Sequence, residues 1–200
     1  MLRISRRLAA IVLAGCVAPL AVAATAQPAA ADPVFHLTYL NTDGSTHLAK
    51  PNVTAAVPTS SVVADLDLGT GQLTGTAQIP DLTVSLNVLG LKITAVTRLV
   101  PVGGLTGTLS GDTLTSSTTF SLRILKLYPT GNSRLNLVTP GCQTIRATTA
   151  TLKNTTPINL FDITLAGSYT IPPFTHCGLL TGIINLPLPA AGNTLTLHLH

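Results

Sequence analysis

Apolar and polar residues alternate with a period of two in several stretches of this 200-residue chain. In 82–88 (LTVSLNV) and 194–200 (TLTLHLH), every second residue is Leu or Val and the residues between them are polar. Successive side chains of a β-strand point to opposite faces, so this pattern predicts half-buried strands. Residues 120–127 and 158–165 mix such alternation with short apolar runs and predict two further strands.

Short segments rich in Gly, Asp and Asn separate these stretches. Asp43-Gly44 and Gly111-Asp112 predict hairpin turns, and residues 130–132 predict a turn after Pro129. Further breaks are expected at 69–71, 90, 103–104 and 192–193. Turns spaced roughly 8 to 15 residues apart are typical of antiparallel β domains. We therefore expect an all-β fold of roughly ten strands, arranged as an antiparallel β-sandwich or a barrel-like domain with little helix.

Residues 1–31 have the pattern of a secretory signal peptide. Three arginines within the first seven residues precede the apolar run 8–24. Two small-residue cleavage motifs follow, Ala24-Thr25-Ala26 and Ala29-Ala30-Ala31. We predict cleavage after the second motif, with the first as the alternative. The mature chain, 32–200, is then expected to be a single secreted β domain without a transmembrane segment.

A lipid anchor is the alternative to free secretion. Residues 13–16 (LAGC) resemble a bacterial lipobox, in which Cys16 would be lipidated and become the first residue. However, the seven residues that follow Cys16 stay apolar, whereas a tether to a membrane should be polar. This composition favours cleavage further along the chain.

The positive charge of the chain belongs mainly to the predicted signal peptide. The whole chain carries a formal charge of +4, and three of its eleven basic residues precede residue 8. Eight basic residues and seven Asp remain after cleavage, and there is no Glu, so the mature formal charge falls to +1. The remaining basic residues are scattered and aromatic residues are few. This composition predicts no nucleic-acid partner.

The mature chain keeps two cysteines, Cys142 and Cys177. An even pair in an exported protein predicts one disulfide bond. A buried pair of free thiols is the alternative. Metal ligation is disfavoured because neither cysteine has a second one nearby.

The sequence contains no complete catalytic motif and predicts no catalytic, cofactor-binding or metal-binding residues. The Ser168 region lacks a nucleophile elbow because Thr170 stands where the elbow needs glycine. Asp65 and Asp67 share one face of a predicted strand, but the segment does not match a complete calcium loop. His198 and His200 share a face of the last strand, a spacing that suits metal chelation, but an exposed pair at a frayed terminus is the favoured interpretation.

Two eight-residue segments are similar to each other. Residues 73–80 (LTGTAQIP) align without gaps to 165–172 (LAGSYTIP), and 105–108 repeat the opening Leu-Thr-Gly-Thr. One interpretation is a duplicated half-domain. The other is that a sequence rich in Leu, Thr and Gly repeats such strings by chance or because hairpins need them.

Several segments resemble uncharacterised secreted β-rich proteins of high-GC actinobacteria. They are the end of the leader, 29–33 (AAADP), the two cysteine-bearing segments 140–144 and 169–178, and the ending 192–197. The resemblance implies an exported, disulfide-bearing β domain with no assigned activity, and it transfers no functional residue.

These observations leave three classes of function. The first is a non-catalytic module that binds an extracellular or cell-envelope ligand through its loops. The second is a structural surface protein that self-associates, because sparse surface charge gives little repulsion between copies. The third is a secreted hydrolase whose site is assembled only in three dimensions.

Overall fold

A computed structural model describes residues 33–88 and 90–200, so the predicted signal peptide, its cleavage motifs and Cys16 lie outside the described residues. The fold is nearly all β, as predicted, with fourteen strands in one hydrogen-bonded system. The strands are β1 Val34–Asn41, β2 Ser45–Leu48, β3 Val53–Ala56, β4 Ser60–Asp67, β5 Gln72–Gln78, β6 Leu82–Val88, β7 Leu91–Pro101, β8 Leu105–Ser110, β9 Thr113–Pro129, β10 Gln143–Thr144, β11 Thr148–Asn154, β12 Ile163–Ile171, β13 Phe174–Thr175 and β14 Ala190–Leu199. A 3-10 turn, Gly178–Leu180, and the short helix α1, Thr181–Ile184, precede β14.

Eight of the strands form a closed antiparallel ring. The order around it is β1, β4, β5, β8, β9, β11, β12 and β14, and β14 pairs back onto β1. The closing seam is short: the amide of Leu40 donates to the carbonyl of His200 at 2.9 Å, and the His200 amide returns the bond at 3.1 Å. The sequence predicts a sandwich or a barrel-like domain, and this closure corresponds to the barrel-like arrangement.

A second group of strands extends the ring at one end. β9 is 17 residues long; its first part pairs with β8 and β11, and its later part pairs with β7. β6 adds to β7, and the β2–β3 hairpin adds to β14. Buried Leu, Ile and Val side chains from both groups form one continuous hydrophobic core.

The alternation of the sequence sets the burial of the strands. In β6 every second residue, beginning with Leu82, is buried, and the residues between are exposed. β14 is longer than predicted because it starts at Ala190 and runs through the expected break at 192–193. There, opposite Tyr169–Ile171, the pairing register shifts, and Gly192 has a φ of 78°. Glycine at this point supports a bulge within a strand rather than a turn between two strands.

Two local predictions are wrong and two turns are confirmed. Residues 158–162 form a loop, and the strand predicted over 158–165 begins only at Ile163. The chain bends at Asp43-Gly44, but β1 and β2 do not pair with each other; both pair with β14. The Gly111-Asp112 hairpin is confirmed by the pairing of Ser110 with Thr113, and the turn after Pro129 is closed by the Asn132 amide.

The repeated Leu-x-Gly strings have a local structural cause. Leu73 of β5 pairs with Gly107 of β8, and Gly75 pairs with Leu105, so the two Leu-Thr-Gly-Thr segments face each other reciprocally. A Cβ atom at Gly75 would collide with the carbonyl oxygen of Val63, and one at Gly167 would collide with that of Thr151. Glycine is therefore needed where these strands approach their neighbours closely. Whether 73–80 and 165–172 descend from a duplication stays a prediction.

Candidate functional site

The two cysteines form the predicted disulfide bond. Cys142 and Cys177 are bonded, with their Cα atoms 4.3 Å apart, and neither side chain is exposed to solvent. The bond ties the segment before β10 to the segment that leads into the 3-10 turn. The Thr139 hydroxyl also donates to the His176 carbonyl, so the same two segments are joined twice.

Asp65 and Asp67, which the sequence places on one face of a predicted strand, have separate structural roles. The Asp65 carboxylate contacts the imidazole of His36 on the outer face of β1 and β4. The Asp67 carboxylate instead accepts the amides of Gly69 and Thr70 in the β4–β5 turn, at 2.9 and 3.1 Å. The hydrogen bond from the Thr70 amide lowers the pKa of Asp67. The two carboxylates therefore do not converge on one site.

The terminal histidines lie in a cluster on the outer surface. His198 Nε2 is 2.7 Å from Asp162 Oδ1, and His198 Nδ1 is 3.5 Å from Asp43 Oδ2. The hydrogen bond with Asp162 has the larger effect and the one with Asp43 the smaller, and both raise the pKa of His198. The His200 ring centroid lies 5.6 Å from that of His198. Within residues 33–88 and 90–200, no group of three or more His, Cys, Asp or Glu side chains is arranged to hold a metal ion.

The interior of the strand system contains a cavity of about 70 Å³ that we call the tyrosine cavity. Side chains from β2, β6, β7, β9, β12, β13 and β14 line it, together with Val57, Ile79 and Leu188 from segments between strands. Its wall is made of Leu, Val, Ile, Ala and Phe apart from Thr46, Thr97 and Tyr169, and no charged side chain contributes to it. A wall of this composition suits an uncharged, largely apolar occupant.

A second cavity of about 50 Å³, the ring cavity, lies within the eight-stranded ring. Its wall is also mainly aliphatic and includes Leu73 and Ala150. Tyr39 lines it as well, but the Tyr39 hydroxyl is already donated to the Leu160 carbonyl at 2.7 Å. Four side chains line both cavities and so form the partition between them: Ile79, Leu99, Phe120 and Leu195.

Two buried hydroxyls give the tyrosine cavity a small polar patch. The Tyr169 hydroxyl is 2.8 Å from Thr46 Oγ1, and Thr46 Oγ1 is 2.9 Å from the Thr194 carbonyl oxygen. Burial raises the pKa of Tyr169, so its hydroxyl keeps its proton at neutral pH. The Tyr169 ring is tilted against Phe120, with centroids 6.0 Å apart, which holds its orientation.

This patch was missed by sequence reasoning, although one signal was present. Tyr169 falls on the same face of β12 as Ile163, Leu165 and Ile171, so a tyrosine interrupts an otherwise inward-facing apolar row. A polar group on a core face needs a hydrogen-bond partner. The partner, Thr46, lies 123 positions away and is brought close only because β14 joins β12 to β2.

Comparisons of this chain with protein-family models, curated proteins and solved structures found no match. The resemblance to secreted actinobacterial proteins therefore stays a prediction. Over the described part of the chain, no helix has the length and apolar character needed to cross a membrane.

Proposed function

We propose that this protein is an exported, non-catalytic binding protein that holds a small apolar ligand in the tyrosine cavity. The observation that carries the proposal is a cavity of about 70 Å³ whose wall is uncharged and nearly all apolar. Strands from both groups contribute most of that wall, so the site is built mainly on the strands of the fold.

Packing energetics support an occupant. Protein interiors are normally packed as densely as organic crystals, with few voids larger than a water molecule. Empty space costs about 24 cal/mol per Å³ in cores that cannot collapse. For a cavity of about 70 Å³, the cost is about 2 kcal/mol, and a ligand that fills the cavity recovers part of it. Cavities with a wholly apolar wall stay dry and take up apolar guests, and the wall here is apolar apart from Thr46, Thr97 and Tyr169.

The placement of the titratable groups supports binding rather than hydrolysis. The histidine–carboxylate pairs of His36 with Asp65 and of His198 with Asp162 lie on the exposed outer surface. The polar groups that line the tyrosine cavity are hydroxyls. A hydrolase needs an acid–base group within reach of the bound substrate, so a secreted hydrolase is the less favoured alternative.

Export is supported by the disulfide bond and by the predicted signal peptide. Disulfides such as Cys142–Cys177 persist in oxidising compartments. We propose that the mature protein is released outside the cytoplasm, with anchoring through Cys16 as the alternative. Its ligand would then come from the extracellular medium or the cell envelope.

A second candidate function is self-association as a structural surface protein. Leu179, Ile183 and Leu186 are all exposed around the short helix α1, and exposed apolar clusters commonly mark interaction sites. A rise in sedimentation coefficient with protein concentration, reduced by Leu179→Ser, would favour this candidate.

The binding proposal can be tested by narrowing each cavity separately. Ala95 lines only the tyrosine cavity and Ala150 only the ring cavity, and both are buried in strands. Ala95→Val should weaken the uptake of xenon at the Leu188 methyl groups about tenfold or more. Ala150→Val should instead weaken the uptake at the Leu73 methyl groups. Methyl chemical shifts of the labelled secreted protein under xenon pressure would measure both. Equal uptake at Leu188 in the wild type and in Ala95→Val would contradict the proposal.

A further inference from the structure

The hydroxyl protons at the tyrosine cavity can be assigned from the hydrogen-bond partners alone. The carbonyl oxygen of Thr194 can only accept, so the Thr46 hydroxyl, 2.9 Å away, donates its single proton there. Thr46 Oγ1 then has no proton left for Tyr169. The 2.8 Å contact between the two hydroxyls therefore has Tyr169 as the donor and Thr46 as the acceptor.

Both protons are thus used within the protein, and the pair offers a ligand only the oxygen lone pairs. From this arrangement we propose that the natural ligand is an uncharged alcohol with a hydrocarbon skeleton, whose hydroxyl donates a hydrogen bond to the Tyr169 oxygen. This inference rests on the proposed function, since it names the chemical class of the ligand held in the same cavity.

Other polar groups fit the site less well. A carboxylate or an ammonium group would be buried without a counter-charge, because no charged side chain lines the tyrosine cavity. A ketone or ester oxygen would meet the lone pairs of Tyr169. It could accept a hydrogen bond from Tyr169 only if Tyr169 withdrew its proton from Thr46, so at Tyr169 one hydrogen bond would be exchanged for another. An alcohol, in contrast, adds a hydrogen bond and breaks none.

Thr97 provides the control for this assignment. It is the third residue with a hydroxyl in the wall and comes from β7, whereas Thr46 and Tyr169 come from β2 and β12. If Thr97 were the group that recognises the ligand, removing its hydroxyl would change the selectivity and removing that of Tyr169 would not.

The test uses three probes of the same shape and number of heavy atoms: butan-2-ol, butanone and 2-methylbutane. Dissociation constants are measured from methyl shifts of the secreted protein. A net hydrogen bond of ordinary strength corresponds to about a two- to tenfold change in affinity. Tyr169→Phe should lower the preference for alcohol over ketone by about that factor, and Thr97→Val should leave the preference unchanged.

Thr46→Val gives an independent readout that only the proton assignment predicts. Without the acceptor at position 46, the Tyr169 proton is free for the ligand, so the preference should shift towards the ketone. An unchanged alcohol-to-ketone ratio in both Tyr169→Phe and Thr46→Val, or a changed ratio in Thr97→Val, would overturn the inference while leaving the proposed function standing. Failure of all three probes to bind the wild type would overturn both.

Discussion

Removal of the disulfide bond is predicted to cost about 4 kcal/mol of unfolding free energy. The two cysteines are 35 positions apart, so the bond closes a loop of that length in the unfolded chain. In the chain-entropy model, the cost follows from the logarithm of the loop length, which gives about 4 kcal/mol at 25 °C. For a domain of this size, that loss corresponds to a fall in Tm of roughly 8 to 16 °C.

Four variants measured by urea unfolding separate the loss of the bond from the loss of packing: the two single cysteine variants Cys142→Ala and Cys177→Ala, their double variant, and Val138→Ala. Cys142→Ala breaks the bond completely, so adding Cys177→Ala should cost less than about 1 kcal/mol more. Val138→Ala is the control, because the Val138 side chain is buried in the same segment as Cys142 and this variant keeps the disulfide bond. Adding a reductant should still lower the unfolding free energy of Val138→Ala, whereas it should not change that of the cysteine variants.

Two results would refute this reasoning about the disulfide. One is a double variant whose loss equals the sum of the losses of the two single variants, since a bond can be lost only once. The other is a reductant effect on the fully reduced wild type of less than about 1 kcal/mol, well under the loop-closure value. Additive losses would mean that the cost comes from the packing of the two side chains and not from their bond. A weak reductant effect would mean that the residues between the cysteines stay restricted in the unfolded chain without the bond.

Three further predictions concern other parts of the molecule. Hydrogen bonds raise the pKa of His198, so its stabilisation is complete below the unfolded-state pKa of about 6.5 and is lost as pH rises through the folded-state value. In urea titrations the wild type should therefore lose stability more steeply with rising pH than His198→Asn does, and equal slopes would contradict this. Gly167→Ala should destabilise the protein by about 3 kcal/mol or more, measured by urea unfolding beside Gly182→Ala, which has open space around it and should be nearly neutral. Intact mass of the secreted protein should show a start at Asp32 or, as the alternative, Gln27, and the added mass of a lipid would contradict cleavage.

The sequence predicted the fold class well because burial in strands is a local, period-two property. β6 could be read directly from its alternating Leu and Val residues, and the Gly111-Asp112 hairpin from its turn residues. The 158–162 loop was misread because its apolar residues, such as Leu160, also occur in strands. Leu160 packs against the core as part of a loop, and its carbonyl is held by Tyr39 from a distant strand. Such a contact has no local signature.

The candidate site was much less predictable than the fold. The volume of the tyrosine cavity is the space that side chains from seven strands leave unfilled between them. The periodicity of the sequence contains no information about that space. The polar patch likewise depends on the register of β14 against both β12 and β2. Only the tyrosine within an apolar row could have suggested that something polar lies inside. The disulfide was predictable because the chain predicted to remain after signal-peptide cleavage has just two cysteines.

The seam between β1 and β14 has a consequence for how the chain reaches its folded state. Nearly all of the described chain lies between Leu40 and His200, the residues whose backbones close the ring. Pairings of such high sequence separation form slowly. Until β14 pairs with β1 and β12, both of these strands have an unpaired edge. The β14 strand of another copy can then pair with these edges as well as the β14 strand of the same chain can. A domain-swapped dimer that exchanges β14 is therefore the expected misassembly at high protein concentration, and it would preserve each ring with its cavities intact.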